Sequence, residues 1–315
     1  MSSDAPSLPS PYRIVRAGEV RGFAVEAFAD AVEAILASGK TLSAWAAESG
    51  HRPEERGRGG VYRVAPPVGR RSPAPGTFDP THTTGARTSD NAAARTASRW
   101  VVRRYLRGGM VSLFLADRYL ALGTPRPWAE AAASALARER GIATPPVVAG
   151  AVYPAGLFYR ADLVTLEVAG AVELARLLFP SPPPEPEGAA VLEAVGCTVT
   201  RLAQAGVLHA DLNATNVLVV LPGGGAGSEG PETPSASASA PRVQVVDLDR
   251  CRILPADSRG IGDGDGLGGR REAGRRRMHR RLRRSLHKLE NRHHARLPEW
   301  AWAALARGVE GGARW

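Results

Sequence analysis

The stretch VLHADLNATNVLV, residues 207–219, decides the fold of this chain. Asp211 and Asn216 stand between two apolar blocks, which predicts a short polar loop between buried segments. Further along, the apolar strand pattern VQVV precedes Asp247. Carboxylate and amide oxygens are the ligands that a hard cation such as Mg²⁺ prefers. The pattern therefore indicates that Asn216 and Asp247 can hold Mg²⁺ and that Asp211 can accept a proton.

The spacing within this loop resembles that of a kinase catalytic loop. His209, Asp211 and Asn216 form the pattern His-x-Asp-x4-Asn. Phosphoryl transfer needs charge neutralisation and in-line positioning more than covalent chemistry from the protein. We predict Asp211 as the catalytic base, Asn216 and Asp247 as metal ligands, and His209 and Asn213 as supporting residues, with ATP and Mg²⁺ as cofactors. The alternative is that Asp211 and Asn216 only cap a turn. His209 is interpreted separately, as a core histidine that stabilises the loop.

Several other blocks resemble the 3-deoxy-D-manno-octulosonic acid (Kdo) kinases of the lipopolysaccharide kinase family. They are GRGG at 57–60, VVRRYLRGGMV at 101–111, GLFYRADLVT at 156–165 and RLRRSLHK at 281–288. The resemblance implies an α+β, bilobal protein-kinase-like fold with a β-rich N-lobe and a mainly helical C-lobe. It also implies ATP-dependent phosphorylation of the 4-hydroxyl of Kdo in a Kdo-lipid A precursor, during lipopolysaccharide core biosynthesis.

The resemblance matches Glu130 with the helix glutamate of kinases and Arg103 with their phosphate-binding lysine. Lys40 and Lys288 are the only lysines, and neither stands in a suitable strand. An arginine must therefore hold the phosphates, which it can do in a bidentate manner. Strand alternation puts Arg103 and Arg104 on opposite faces, so only one can point to the nucleotide, and we favour Arg103. Glu130 could instead be an exposed helix residue.

Gly57, Gly59 and Gly60 are a candidate phosphate-binding turn, because they precede a predicted strand. They lack the full spaced-glycine pattern, so an ordinary hairpin turn is the alternative. Asp249, which stands where protein kinases have glycine, could assist the metal or cap the strand end, and its role is left open.

The organisation along the chain predicts a single kinase-like unit, 1–315. Its parts are an N-lobe at 12–168 with a flexible insertion at 66–98, and a C-lobe at 169–315 with a disordered insertion at 222–241 and a basic helix at 270–296. Apolar spacing at 23–47 suggests one amphipathic helix. The two insertions are rich in Pro, Gly, Ser and Thr or in alternating Ser and Ala.

Positive charge is concentrated in the segment 270–296. Twelve Arg or Lys against two Glu give it +10, which equals the formal net charge of the whole chain. We favour binding to an anionic sugar-lipid substrate, with peripheral contact to the inner membrane. A solvated helix is the second interpretation. Nucleic acid is an unlikely partner, since the segment has no interleaved aromatic residues for stacking on bases.

Only Cys197 and Cys251 occur, and the N-terminal segment lacks a secretory pattern, so we expect a cytoplasmic protein that is peripheral on the cytoplasmic face of the inner membrane. Two alternatives to the Kdo kinase stay open. One is a kinase of the same fold that acts on another sugar or protein hydroxyl, and the other is a pseudokinase-like binding protein.

Overall fold

The computed structural model describes residues 8, 11–49, 60–67, 99–106, 118–223, 240–255 and 266–311. Most of both predicted insertions lies outside these residues, as do Gly57 and Gly59. The chain divides into two compact units. The first comprises residues 1–135 and 145–167, and the second comprises residues 136–144 and 168–315. The lobe bounds predicted from the sequence stay a prediction.

In the described residues of the first unit, seven strands form one antiparallel sheet. They are β1 (Tyr12–Ala17), β2 (Val20–Val25), β3 (Val61–Val64), β4 (Trp100–Arg104), β5 (Tyr119–Leu120), β6 (Val147–Ala155) and β7 (Phe158–Leu166). The order across the sheet is β1-β2-β6-β7-β4-β3, and β5 pairs with β7. Val61, the first residue of β3, lies opposite Arg103 near the end of β4.

Helices cover both faces of this sheet. Helices α1 (Ala29–Ala37) and α2 (Leu42–Glu48) pack on one face around Trp100. Helix α3 (Arg126–Glu139) brings Trp128 against the other face, in edge contact with Phe23. Alternate residues of the central strands β2, β6 and β7 therefore enter two different cores.

The prediction of a single amphipathic helix over residues 23–47 is wrong in part. Residues 20–25 form the interior strand β2, which pairs with both β1 and β6. Both Phe23 and Ala24 are fully buried, on opposite faces. A strand buried on both faces loses its alternation of apolar and polar residues, and its apolar run then merges with that of the following helices.

The buried carboxyl of Asp162 fixes helix α2 to the sheet. One of its oxygens accepts hydrogen bonds from the Ser43 backbone N–H at 2.8 Å and the Tyr153 hydroxyl at 3.0 Å. Burial raises the pKa of Asp162. Arg104 is its cross-strand neighbour, so Arg104 belongs to the α2 face of the sheet.

The second unit is mainly helical. Its elements are β8 (Ala171–Glu173), α4 (Leu174–Leu178), α5 (Glu185–Gln204), β9 (Val207–Leu208), β10 (Val217–Val220), β11 (Arg242–Val245), β12 (Arg252–Ile253), α6 (Gly266–His293) and α7 (Glu299–Gly311). Strands β11, β10 and β8 form one small sheet, and β12 and β9 another. Helix α6 includes most of the basic segment 270–296.

Helices α5 and α7 cross at a pair of glycines. A Cβ atom on Gly196 would lie 2.4 Å from the carbonyl oxygen of Leu305, and one on Gly308 would lie 2.1 Å from that of Glu193. These distances are well inside van der Waals contact, so the two backbones approach each other only because no side chain intervenes. This crossing anchors the element that leads into the 207–219 stretch.

The β-rich first unit and the mainly helical second unit confirm the predicted α+β class. None of the helices in the described residues is both long and apolar enough to span a bilayer.

Candidate active site

The loop between β9 and β10 is organised around a buried histidine. His209 is only 2% exposed. Its Nδ1 accepts the Asp211 backbone N–H at 3.2 Å, and its Nε2 lies 2.9 Å from the Val246 carbonyl oxygen. Since Nδ1 accepts a proton donor, the ring proton is on Nε2, which donates to Val246. His209 therefore links the loop to the strand that precedes Asp247.

Two side-chain amides fix the backbone of Asp211. Asn213 and Asn216 both donate from Nδ2 to the Asp211 carbonyl oxygen, each at 3.0 Å. The Oδ1 of Asn213 also accepts from the Thr215 backbone N–H at 2.9 Å and its hydroxyl at 2.6 Å. These contacts close the turn and fix the backbone of Asp211, whose side chain is half exposed.

Asp247 is brought next to Asn216 by strand pairing. The Val246 backbone N–H donates to the Asn216 carbonyl oxygen at 3.0 Å, continuing the register that pairs Val217 with Val245. Asp247 follows with φ 66° and ψ 53°, in the left-handed region. Such a conformation is uncommon for a residue with a side chain, although aspartate tolerates it better than most, and it is found more often at functional sites.

The donor set fits a hard divalent cation. Because Nδ2 of Asn216 is used by the Asp211 carbonyl, Oδ1 is the atom left to serve as a ligand. Asp247 contributes a carboxylate from the adjoining segment. In the described parts of the chain, His, Cys, Asp and Glu form no group of three or more that could hold a metal. A cation bound here would take its other ligands from water and nucleotide phosphates, as Mg²⁺ does.

Helix α6 runs along the loop and contacts it once per turn. A Cβ on Gly274 would lie 2.4 Å from Cδ2 of Leu208, and the His209 backbone N–H points to Sδ of Met278 at 3.3 Å. One turn further along, Nη1 of Arg281 donates to the Asp211 carboxylate.

The last of these contacts is made by Ser285, whose hydroxyl oxygen accepts the Ala214 backbone N–H at 3.1 Å. The contacting positions 274, 278, 281 and 285 lie on one helix face.

The ion pair between Arg281 and Asp211 was not predicted from the sequence. Their atoms are 2.8 Å apart, and the two side chains are 41% and 48% exposed. The only available signal was that Leu282, Leu286 and Leu289 mark the buried stripe of α6, so that Arg281 must lie at its border.

In the first unit, Arg103 and Glu130 form an ion pair across β4 and α3. Glu130 is buried, at 4% exposure, and also accepts a hydrogen bond of 2.5 Å from the Tyr105 hydroxyl. The Arg103 guanidinium lies 4.9 Å from the centre of the Tyr105 ring. The alternative that Glu130 is an exposed helix residue is therefore wrong, and Arg103 lies on the α3 face, opposite Arg104.

The predicted glycine turn is described only in part. Gly60 directly precedes β3, whose first residue pairs with Arg103. Gly57 and Gly59 lie outside the described residues. Asp249 is half buried in a short 3₁₀ turn after Asp247. The roles predicted for the glycines, Arg103, Glu130 and the loop residues stay predictions.

The chain has a β-rich unit and a mainly helical unit, and its Asp-x4-Asn loop is hydrogen-bonded at Asn216 to the segment that leads to Asp247. Together these features are typical of a kinase-like phosphotransferase. The sequence model of the lipopolysaccharide kinase (Kdo/WaaP) family matches residues 82–259, which is more than half of the 315 residues. The chain belongs to this family. The family resemblance and the fold class that were predicted from the sequence are therefore confirmed.

Individual relatives agree with the family. The chain is 26% identical over 191 residues to a 3-deoxy-D-manno-octulosonic acid kinase of Vibrio vulnificus, covering 57% of this chain and 72% of the relative. It is 27% identical over 211 residues to the kinase of that name from Photobacterium profundum, covering 66% and 74%. With the one from Xanthomonas axonopodis pv. citri it shares 37% identity over 120 residues, covering 38% and 46%.

A solved structure, WaaP in complex with acyl carrier protein, aligns with 95% of this chain and 89% of that chain, at 17% identity and a TM-score of 0.43.

Proposed function

We propose that this chain is an ATP-dependent kinase that phosphorylates the 4-hydroxyl of Kdo in a Kdo-lipid A precursor. The observation that carries the proposal is the junction at Asp211, whose carbonyl oxygen is bound by Asn213 and Asn216. The same Asn216 is tied through its own carbonyl to Val246, next to Asp247. The residues proposed as base and as oxygen ligands thus lie on two adjoining backbone segments, which supports the proposal in a chain of a lipopolysaccharide kinase family.

The proposed mechanism assigns one task to each side chain. The Asp211 carboxylate accepts a hydrogen bond from the acceptor hydroxyl and orients its oxygen. It takes the hydroxyl proton as the oxygen bonds to the γ-phosphorus of ATP, while the bond from that phosphorus to the bridging oxygen breaks and ADP leaves. Asn216 and Asp247 hold the magnesium ion, which neutralises phosphate charge when bound. His209 does not exchange protons with the substrate in this scheme, because both of its ring nitrogens are engaged with the backbone.

Arg103 is proposed to bind the nucleotide phosphates in place of a lysine. A guanidinium carries five N–H donors in a planar fork, which suits bidentate pairing with a phosphate as well as pairing with the Glu130 carboxylate. Glu130 and Tyr105 hold the side chain from the buried side. Gly57, Gly59 and Gly60, which precede β3 in the sequence, are proposed to bind phosphate.

We further propose a cytoplasmic location with peripheral contact at the inner membrane. The acceptor is anchored in a lipid, and the exposed cations of α6 suit anionic headgroups.

The test is a comparison of two acceptors. The purified chain is incubated with ATP and Mg²⁺ and either a Kdo-bearing lipid A precursor or the same precursor without Kdo, and the lipids are weighed by mass spectrometry. We expect a gain of one phosphate on the Kdo-bearing lipid alone, and fragmentation should locate it on the 4-hydroxyl. A gain on both lipids would place the acceptor hydroxyl elsewhere, and a gain on neither would remove the proposed acceptor.

A further inference from the structure

Helix α6 has two exposed flanks with different partners. On the far flank, Trp302 of α7 stacks on His287 at a centroid distance of 4.4 Å, and the Arg283 guanidinium lies 5.4 Å from the centre of the same ring. On the near flank, Arg281 pairs with Asp211. The buried stripe of α6, which contains Leu282, Leu286 and Leu289, lies between the two flanks.

A row of cations extends from Arg281 in both directions along the near flank. At 100° per residue, Arg277, Arg284 and Lys288 lie within about 60° of Arg281 around the helix axis. The row from 277 to 288 covers about 16 Å at 1.5 Å per residue. All three flanking side chains are exposed. We call these four residues the cationic row.

The acidic residues of α6 do not neutralise this row. Glu272 binds Arg275 and Arg276, which lowers its pKa to about 2, and Glu290 is buried against His287 and the Leu297 backbone. Among the described residues, no carboxylate lies within ion-pair distance of Arg277, Arg284 or Lys288, in contrast to Arg281. Like charges at three- and four-residue spacing destabilise a helix, so the row carries a repulsion that an anionic ligand would relieve.

We infer that the cationic row is a binding track that seats the acidic groups of the acceptor beside Asp211. The inference rests on the proposed function and deepens it, because it identifies the surface that selects a polyanionic acceptor. A solvated face is the simpler explanation of a charge run in general. Here the row is centred on an arginine that touches the proposed base, and guanidinium groups bind carboxylates and phosphates through charge-assisted hydrogen bonds.

The arrangement gives Arg281 a positioning role. Its Nη1 donates to the Asp211 carboxylate, and its side chain is 41% exposed, so the guanidinium can meet a ligand from solvent as the other cations of the row can. An acidic substituent close to the acceptor hydroxyl would bind the row and bring that hydroxyl to Asp211. A neutral sugar would lack this contact.

The experiment compares two double variants of equal charge change. Arg277→Gln with Arg284→Gln removes two cations of the row, and Arg276→Gln with Arg283→Gln removes two cations from the rest of the same helix. Binding of the Kdo-bearing lipid A precursor in neutral detergent micelles is measured without ATP, and micelles that carry phosphatidylglycerol instead serve as a second probe. Thermal denaturation checks that all variants fold.

We expect the first variant to bind the precursor at least tenfold more weakly than the wild type, since each lost contact is a hydrogen bond between charged groups. The second should change binding by less than about threefold, as an exposed charge away from the ligand does. Equal losses in both variants, or an equal loss toward phosphatidylglycerol, would overturn the inference. Selective binding without phosphate transfer would refute the proposed function and leave the inference standing.

Discussion

Replacing Glu130 with glutamine tests the proposed phosphate-binding pair most sharply. Glu130 is buried and accepts from both Arg103 and Tyr105, whereas the Arg103 side chain is 26% exposed. A hydrogen bond to a charged group contributes roughly 1 kcal/mol more than one between neutral groups, so two such bonds give about 2 kcal/mol. Because Arg103 is partly exposed, solvent screening reduces the contribution of its hydrogen bond to stability. We therefore expect Glu130→Gln to lower the free energy of unfolding by about 1.5 kcal/mol.

The assay is a double-mutant cycle with Arg103→Gln, measured by urea denaturation. We expect a coupling energy of about 1 kcal/mol between the two residues. The exposed pair of Lys40 and Glu48, with side chains 44% and 58% exposed, is the matched control and should couple by less than about 0.5 kcal/mol.

The same variants are then tested for ATP binding, because Arg103→Gln should weaken it and Glu130→Gln should do so to a smaller extent. A coupling no larger than that of the control pair, together with unchanged ATP binding, would refute the phosphate-site role.

Three other predictions concern stability, pH dependence and turnover. Gly308→Ala places a Cβ against the Glu193 carbonyl and should lower the free energy of unfolding by about 2–3 kcal/mol in urea denaturation. Asp162→Asn should become more stable relative to the wild type as pH rises above about 4, the ordinary pKa of an aspartate, because the stability from a neutral Asp162, whose pKa burial raises, is lost as pH rises through that raised pKa. Arg281→Gln should change stability by less than about 1 kcal/mol, since its pair with Asp211 is half exposed, while turnover falls about tenfold or more.

Each of these has its own control. Gly311→Ala lies on the same helix with open space around its Cβ position and should be close to neutral, so equal losses in both glycine variants would contradict the crossing argument. A stability difference for Asp162→Asn that is flat or falls with pH would contradict the raised pKa. For Arg281→Gln, Arg283→Gln is the matched variant, and equal turnover in the two would exclude a positioning role for Arg281.

The core of the site could be predicted from the sequence because it is local. His209, Asp211, Asn213 and Asn216 lie within one loop, and their spacing alone places them together. Asp247 is 31 positions after Asn216, yet both flank strands that pair directly, so two apolar strand patterns were enough to bring them side by side. Whether these residues act as proposed stays a prediction.

The partner of Asp211 could not be predicted in the same way. Arg281 is 70 residues further along, and eleven other Arg or Lys residues surround it between 270 and 296. The rotation of α6 about its own axis determines which of these cations reaches Asp211. That rotation is fixed by the contacts of Gly274, Met278 and Ser285 with residues 208–214. Composition indicates that the segment is basic, but not which cation touches the site.

Strand alternation separated Arg103 from Arg104 correctly, because β4 has different helices on its two faces. The same rule gave no help at Phe23, where β2 is buried on both sides and its pattern imitates a helix. The apolar–polar periodicity of the sequence predicts elements that have one solvent-exposed face, but it does not identify interior strands that are buried on both faces.

The most direct measurement is single-turnover transfer of the γ-phosphoryl group to the Kdo-bearing precursor by the wild type and by Asp211→Asn. Asn keeps the shape of the side chain but cannot take the acceptor proton, so we predict intact ATP binding and transfer reduced by at least a hundredfold. Glu193→Gln, an exposed carboxylate of α5 in the same unit, should transfer at the wild-type rate. Transfer by Asp211→Asn at a rate near that of the wild type would contradict the assignment of Asp211 as the base and with it the proposed mechanism.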